Sequence, residues 1–152
     1  MTLYTPNGTL VVKRVIAAPA EIIFDAWTDA DSFATWMTAG PVTHAEATTD
    51  PQVGGEFTVM VHTPTQALPH RGTYLVIDRP RRLSFTWQSP NTDDKETVVT
   101  VDFTEVAAGT EVAVTHEGLP GRRAWDAHSG GWIACLEALE RLAVARSVSP
   151  HA

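Results

Sequence analysis

From Val42 onward apolar and polar residues alternate, and the gaps between the alternating runs are too short for anything but hairpins. The runs are Val42 to Thr49, Glu56 to His62, Gly72 to Asp78, Arg82 to Gln88, Thr97 to Glu105 and Thr110 to Glu117. Leu83, Phe85 and Trp87 share one face, as do Val99, Val101 and Phe103, and Val112, Val114 and His116. Ser84, Thr86, Thr100, Asp102, Glu111 and Thr115 hold the other. One apolar and one polar face predict an antiparallel sheet, because parallel neighbours need crossovers of about a dozen residues or more. Turn formers punctuate the runs: Asp50-Pro51 with Gly54-Gly55, Pro64 and Pro69, Arg79-Pro80, Pro90-Asn91 and Gly109.

Such a sheet must cover its apolar face. The cover is a helix predicted over Asp126 to Arg146, with Trp132, Cys135, Leu136, Leu139, Leu142 and Ala143 as its apolar stripe. At 1.5 Å per residue, such a helix reaches about 30 Å, enough to cross a sheet of this size. Upstream, Leu10 to Ala17 reads as a strand. Pro19 opens a short helix through Thr28 with Ile23, Phe24 and Trp27 on one face. Asp29 or Asp31 caps a second short helix carrying Phe33, Trp36 and Met37. The order is one strand, two short helices, six strands and a long helix: one α+β domain over residues 1–152, with a core at about 9–145 and a frayed tail at 147–152.

The net charge of −7 disfavours phosphate backbones and anionic lipid, so nucleic acid is not an expected partner. No apolar run approaches the roughly 20 residues that cross a bilayer. The single cysteine, Cys135, makes no internal disulfide. Residues 1–8 lack the basic-then-apolar pattern of a secretion signal. Together these predict a cytoplasmic protein. Its oligomeric state is open, the homodimer being the commonest soluble assembly.

His44, His62, His70, His116 and His128 fall on separate elements. His128 precedes Trp132 by one helical turn and joins the inward stripe, while His116 continues the inward series of Val112 and Val114. The pair reads either as polar anchors or bases in an apolar pocket, or as core histidines satisfied by carbonyls. No His-Glu-x-x-His, paired cysteines or close ligand cluster predicts a metal. No glycine-rich phosphate loop predicts a nucleotide, and no cofactor is expected. Cys135 on an apolar stripe reads as a small hydrophobe rather than a nucleophile. Five tryptophans are many for this length; Trp27 and Trp132 read mainly as core, while Trp36, Trp87 and Trp125 lie near element ends where a pocket mouth would form. Met60 and Tyr74 add wall. Gly130-Gly131 costs the long helix about 1 kcal/mol per glycine, for close packing on the sheet or for room beside a ligand.

A set of short motifs also carries a resemblance. Ala18-Pro19-Ala20-Glu21 leads to Ala26-Trp27-Thr28-Asp29 and then Trp36. Gly54-Gly55-Glu56-Phe57 opens a strand; Gly72-Thr73-Tyr74 leads to Arg79-Pro80-Arg81-Arg82-Leu83 and Phe85-Thr86-Trp87. Gly109-Thr110-Glu111-Val112 runs to Thr115-His116-Glu117-Gly118-Leu119, followed by His128 and Gly131-Trp132. In this order, over about residues 9–145, the chain resembles the START-like (SRPBCC) helix-grip superfamily, which includes the birch-pollen allergens and bacterial polyketide cyclases. Within it, the chain looks most like a bacterial single-domain member of the family named for the activator of heat-shock-protein-90 ATPase. The resemblance implies a curved sheet gripping the long helix. It also implies lipid, sterol or polyketide binding, cyclase or dehydratase chemistry, or a co-chaperone role.

Three functions are therefore weighed. The first is a binding module for a hydrophobic or aromatic small molecule, lipid-like or polycyclic, with Trp36, Met60, Tyr74, Phe85, Trp87, His116, Trp125, His128 and Trp132 as ligand-binding residues. The second is a cyclase-, dehydratase- or hydrolase-like enzyme in which His116 and His128, helped by Tyr74 or Glu46, move protons. The third is a module that contacts a chaperone ATPase.

Overall fold

The computed structural model describes residues 7–37 and 42–148. The tail expected beyond Ser147 lies mostly outside them. The elements run β1 (Leu10–Ile16), α1 (Ala20–Thr28), α2 (Ala30–Trp36), β2 (His44–Thr49), β3 (Glu56–His62), β4 (Ala67–Asp78), β5 (Arg82–Trp87), a 3₁₀ turn η1 (Pro90–Thr92), β6 (Thr97–Val106), β7 (Gly109–Glu117) and α3 (Arg122–Val148). The seven strands form one sheet in the order β1-β7-β6-β5-β4-β3-β2, every pairing antiparallel. α1 and α2 carry the chain from one edge strand to the other, and hairpins then return it to β1. The fold is the α+β helix-grip expected.

Local chemistry explains the two short helices. Pro19 is extended and precedes the first helical residue, a place where its missing N–H costs nothing. The Asp29 carboxylate accepts from the Ser32 N–H at 3.0 Å and from the Ser32 hydroxyl at 2.6 Å, capping α2. Those bonds from Ser32 lower the Asp29 pKa.

Trp27 ties the layers together. Its ring stands edge-on to Trp36 of α2 at 4.6 Å, stacks on Trp132 of α3 at 5.8 Å, and meets Phe85 of β5 at 6.2 Å and Phe103 of β6 at 6.5 Å. Leu136 and Leu139 of α3 are fully buried against the same interior. Burying one such aliphatic side chain stabilises the fold by about 1.5–3 kcal/mol, so the predicted stripe does dock on the apolar face.

Three expectations change. β4 begins at Ala67, not Gly72, and runs through Pro69. Arg71 exchanges both backbone bonds with Gln88, so Pro69, two residues earlier, turns its nitrogen to the same side, where β5 has already ended. A proline is tolerated in a strand where no ladder bond is asked of it. α3 begins at Arg122, one turn before Asp126, directly after Gly121 at φ +93°. Ser84 and Thr86, expected on the wet face, are buried: Ser84 Oγ donates to the Val99 carbonyl at 3.2 Å, and Thr86 Oγ1 accepts from the Thr73 N–H at 2.8 Å. They sit on β5, the middle strand of the seven. Crowding on the inner side demands Gly72, whose added Cβ would lie 1.9 Å from the Thr86 carbonyl and 2.5 Å from the Phe57 ring.

Candidate functional site

Between the first turns of α3 and the ends of β4 and β5 lies a cavity of about 100 Å³ with an open mouth. Met37, His70, Trp87, Asn91, Ala127, His128, Gly131, Trp132 and Cys135 line it. None of these carries a formal charge when its histidines are neutral. Period-two geometry points His70 and Trp87 inward from β4 and β5. Helical spacing sets His128, Gly131, Trp132 and Cys135 on one face of α3. The 3₁₀ turn, held by a reciprocal Ser89–Thr92 capping box, carries Asn91 to the rim.

Three histidines meet at this end of the interior, in different states. His116 is sealed, with no exposed surface. The Trp132 indole N–H donates to His116 Nδ1 at 3.1 Å. That nitrogen is therefore an acceptor, and the neutral ring carries its proton on Nε2. Nε2–H donates to Thr97 Oγ1 at 2.7 Å, and the Thr97 hydroxyl donates to the Trp87 carbonyl at 2.6 Å. Every polar atom in this relay from α3 to β5 is used. Burial, reinforced by His128, holds the His116 pKa well below its ordinary value.

His128 stands edge-on to His116 at 4.9 Å. Its Nδ1–H donates to the Ala124 carbonyl one turn back at 2.8 Å. That fixes the opposite tautomer and leaves Nε2 as an acceptor on the cavity wall with no partner among the described residues. Burial lowers its pKa, against the opposing pull of the Ala124 carbonyl. His70 completes the group: Nδ1–H donates to the Leu68 carbonyl at 3.0 Å, and the ring lies 5.1 Å from Trp87. Burial lowers its pKa too, opposed by its hydrogen bond to Leu68 and deepened by His128. Cys135 is no nucleophile, since burial pushes its thiol up to about 12.

Two buried side-chain nitrogens among the described residues lack an acceptor, Trp27 Nε1 and Trp87 Nε1. Trp27 is edge-on to Trp36, where a ring face serves as a weak acceptor. Trp87 lines the cavity. Gly131 also lines it, and a Cβ built on Gly131 or Gly130 meets nothing within 4 Å. Close packing therefore does not account for the pair, and the room it leaves at Gly131 is in the cavity.

Of the nine expected ligand-binding residues, the structure brings Trp87, His128 and Trp132 together on the cavity, with His116 directly behind. Trp36, Tyr74 and Phe85 belong to the aromatic core instead. Trp36 Nε1 donates to the Ala26 carbonyl at 2.8 Å, Phe85 packs edge-on to Phe57 at 5.2 Å, and burial pushes the Tyr74 hydroxyl up to about 12, with Asp50 adding to it. Trp125 lies buried at the foot of β1, its Nε1 donating to the Thr9 carbonyl at 3.0 Å. Met60 is misplaced by the sequence reading. It points outward from β3, between inward Val59 and Val61, onto a solvent-open depression of about 760 Å³ that Glu46, Thr48, Thr58, His62 and Arg71 also line. There Glu46, the expected helper, is engaged by His62 Nε2 at 2.8 Å, on the far side of the sheet from His128. Glu46, Arg71 and Asp94 put charge on the wall of that larger groove, whereas no Asp, Glu, Lys or Arg lines the smaller cavity. His70, Met37 and Asn91 were not singled out in sequence. Of these only His70 had a signal, since Leu68, His70 and Gly72 extend the inward parity of Tyr74 backward.

Among the described residues no group of three or more His, Cys, Asp or Glu side chains is arranged to hold a metal, and no helix is long and apolar enough to cross a membrane.

The comparisons with known proteins agree with this fold. A protein from Rhodobacter sphaeroides superposes with a TM-score of 0.80 at 22% identity, over 95% of this chain and 98% of that one. An AHSA1-like protein from Aeromonas hydrophila gives 0.77 at 24%, over 95% and 97%. A protein from Mesorhizobium loti gives 0.71 at 28%, over 88% and 95%. No curated protein matches the chain. Residues 17–143 match the family described as activator of Hsp90 ATPase homolog 1-like protein, and the chain belongs to that family.

Proposed function

We propose that the chain binds a small aromatic or hydrophobic molecule in the cavity between α3 and the sheet. The observation that carries this reading is free volume between Trp87 and Trp132 beside His128 Nε2, which has no partner among the described residues, with Gly131 keeping space open at a cost to its own helix. Such a wall, mostly apolar with a few placed polar groups, is what small-molecule sites share. A cavity of this size is too small for the lipid-like or polycyclic ligand expected from sequence; an engineered cavity of about 150 Å³ takes one benzene. Quenching of tryptophan fluorescence by a panel of one-ring compounds, with a parallel thermal shift, tests the reading. Saturable quenching supports it, and none at millimolar concentration refutes it.

One observation favours a catalytic second reading. His128, oriented by a backbone carbonyl and open at Nε2, has the form of a general base. His116, with its lone pair already donated to, does not. Were the chain an enzyme, His128→Ala would abolish turnover while one-ring ligands still bound. A cytoplasmic location and a chaperone-ATPase partner stay with this proposal as secondary expectations, the first supported by the charge and the lone cysteine.

A further inference from the structure

We infer that His44, His62 and Glu46, on the outer face of β2 and β3, take up one divalent transition-metal ion of the Zn²⁺ class. The site lies on the far side of the sheet from the α3 cavity and stands or falls independently of binding there.

The register of the β2–β3 ladder builds it. His44 and His62 are directly opposed across the two strands, so their side chains leave the sheet on one face, with their rings stacked at 5.5 Å and 26°. Glu46 is two residues along β2 from His44 and shares that face. Ala45 and Val61 hold the inward positions, both buried. Both imidazoles turn Nε2 toward one oxygen, Glu46 Oε1: His62 Nε2–H donates to it at 2.8 Å, and His44 Nε2 lies 3.8 Å from it. No sequence motif announces this trio, because only strand pairing brings residue 62 to residue 44.

The donors select the ion. Two imidazole nitrogens and one carboxylate oxygen suit Zn²⁺ and its neighbours, whereas Mg²⁺ and Ca²⁺ take oxygen ligands. Bonds of about 2.0–2.2 Å at tetrahedral angles set donor atoms about 3.4 Å apart. The separations of 2.8 and 3.8 Å bracket that spacing. Glu46 is now turned onto His62 by a hydrogen bond, so the three are not set at coordination distances. The ion takes the place of the His62 Nε2 proton, which moves to Nδ1 through solvent. The side chains are free to close on it, since those of His44 and Glu46 are each 64% exposed and that of His62 is 34% exposed. The backbone need not move, because the ladder already holds the two rings face to face. Three protein donors leave a fourth position to water. β2 is an edge strand, and the ion would clip it to β3.

Zn²⁺ and Mg²⁺ are the probes, titrated into the untagged full chain at pH 7.5 by calorimetry, with the imidazoles followed by ¹H–¹⁵N NMR. Zn²⁺ is expected to bind one per chain, to move the His44 and His62 signals together, and to leave His70, His116 and His128 in place. It should also raise the thermal midpoint, and Mg²⁺ should do none of this. His44→Ala and His62→Ala should each weaken Zn²⁺ by at least about tenfold, and Glu46→Gln by about tenfold. Should a variant fail to fold, the imidazole shifts of the unaltered chain decide the matter. Zn²⁺ that binds no better than Mg²⁺, or that moves the inner histidines instead, overturns the inference. Binding that survives loss of either histidine, or is unchanged in Glu46→Gln, overturns it as well.

Discussion

His116 and His128 touch each other, share one interior and are both held neutral by burial, yet only one of them is finished. His116 receives at Nδ1, gives at Nε2 and so locks Trp132, Thr97 and β5 together. His128 is anchored at one nitrogen and open at the other. The sealed end serves stability, and the open end keeps an acceptor and a glycine's worth of space. Burial alone does not separate a structural histidine from a functional one; the count of satisfied nitrogens does.

The largest effect should come from breaking the sealed end. His116→Ala strands the Trp132 N–H and opens a void, at an expected cost of about 3–5 kcal/mol in urea or guanidinium unfolding. His128→Ala loses one bond to a helix carbonyl and should cost about 1 kcal/mol, while weakening the binding of one-ring ligands that hydrogen-bond to Nε2. Equal costs would erase the distinction.

Acid should act next. His70, His116 and His128 all have folded pKa values below the unfolded value of about 6.5. Above that value both states are neutral and stability is complete. Below it the unfolded chain takes up protons that the folded chain refuses, so stability falls as pH drops from about 6.5 towards the lowered folded values. The loss is up to about 1.4 kcal/mol per pH unit for each histidine. Unfolding midpoints measured from pH 7.5 to 5 should show this slope, and His116→Gln should flatten part of it. A ligand at the open end should offset the fall.

Gly131→Ala should raise stability by up to about 1 kcal/mol, since the methyl meets nothing within 4 Å and alanine favours helix. The same methyl should weaken ligand binding, a trade that separates room from packing. The smallest effect belongs to the exposed surface. Asp25→Asn removes the fork from Arg79 at 2.7 and 2.9 Å and should leave the unfolding midpoint almost unchanged, because solvent screens so exposed a pair.

Much of the fold was legible because alternation and helical stripes are local. Leu83-Phe85-Trp87 and Leu136-Leu139 announce their faces without knowledge of their partners. What failed had competing local signals. Pro64 and Pro69 read as breakers, and only the end of β5 makes Pro69 harmless; truncating β4 hid His70. Met60 was assigned to the wall on polarizability, although Phe57, Val59 and Val61 already claimed the inward parity. The cavity was legible in part. Its α3 face follows from spacing, whereas Met37 and Asn91 come from the ends of elements far apart in sequence. Which nitrogen of which histidine is free depends on those tertiary contacts and leaves no mark in composition.

The central claim is tested most directly by long-range ¹H–¹⁵N correlation of the imidazoles between pH 7.5 and 5, with and without a one-ring ligand that donates a hydrogen bond. The account predicts His116 as the Nε2–H tautomer throughout, untitrated and unmoved by the ligand. It predicts His128 as the Nδ1–H tautomer, its Nε2 signal shifting when the ligand is added. A His116 that titrates near 6.5, or that responds to the ligand as His128 does, would contradict it.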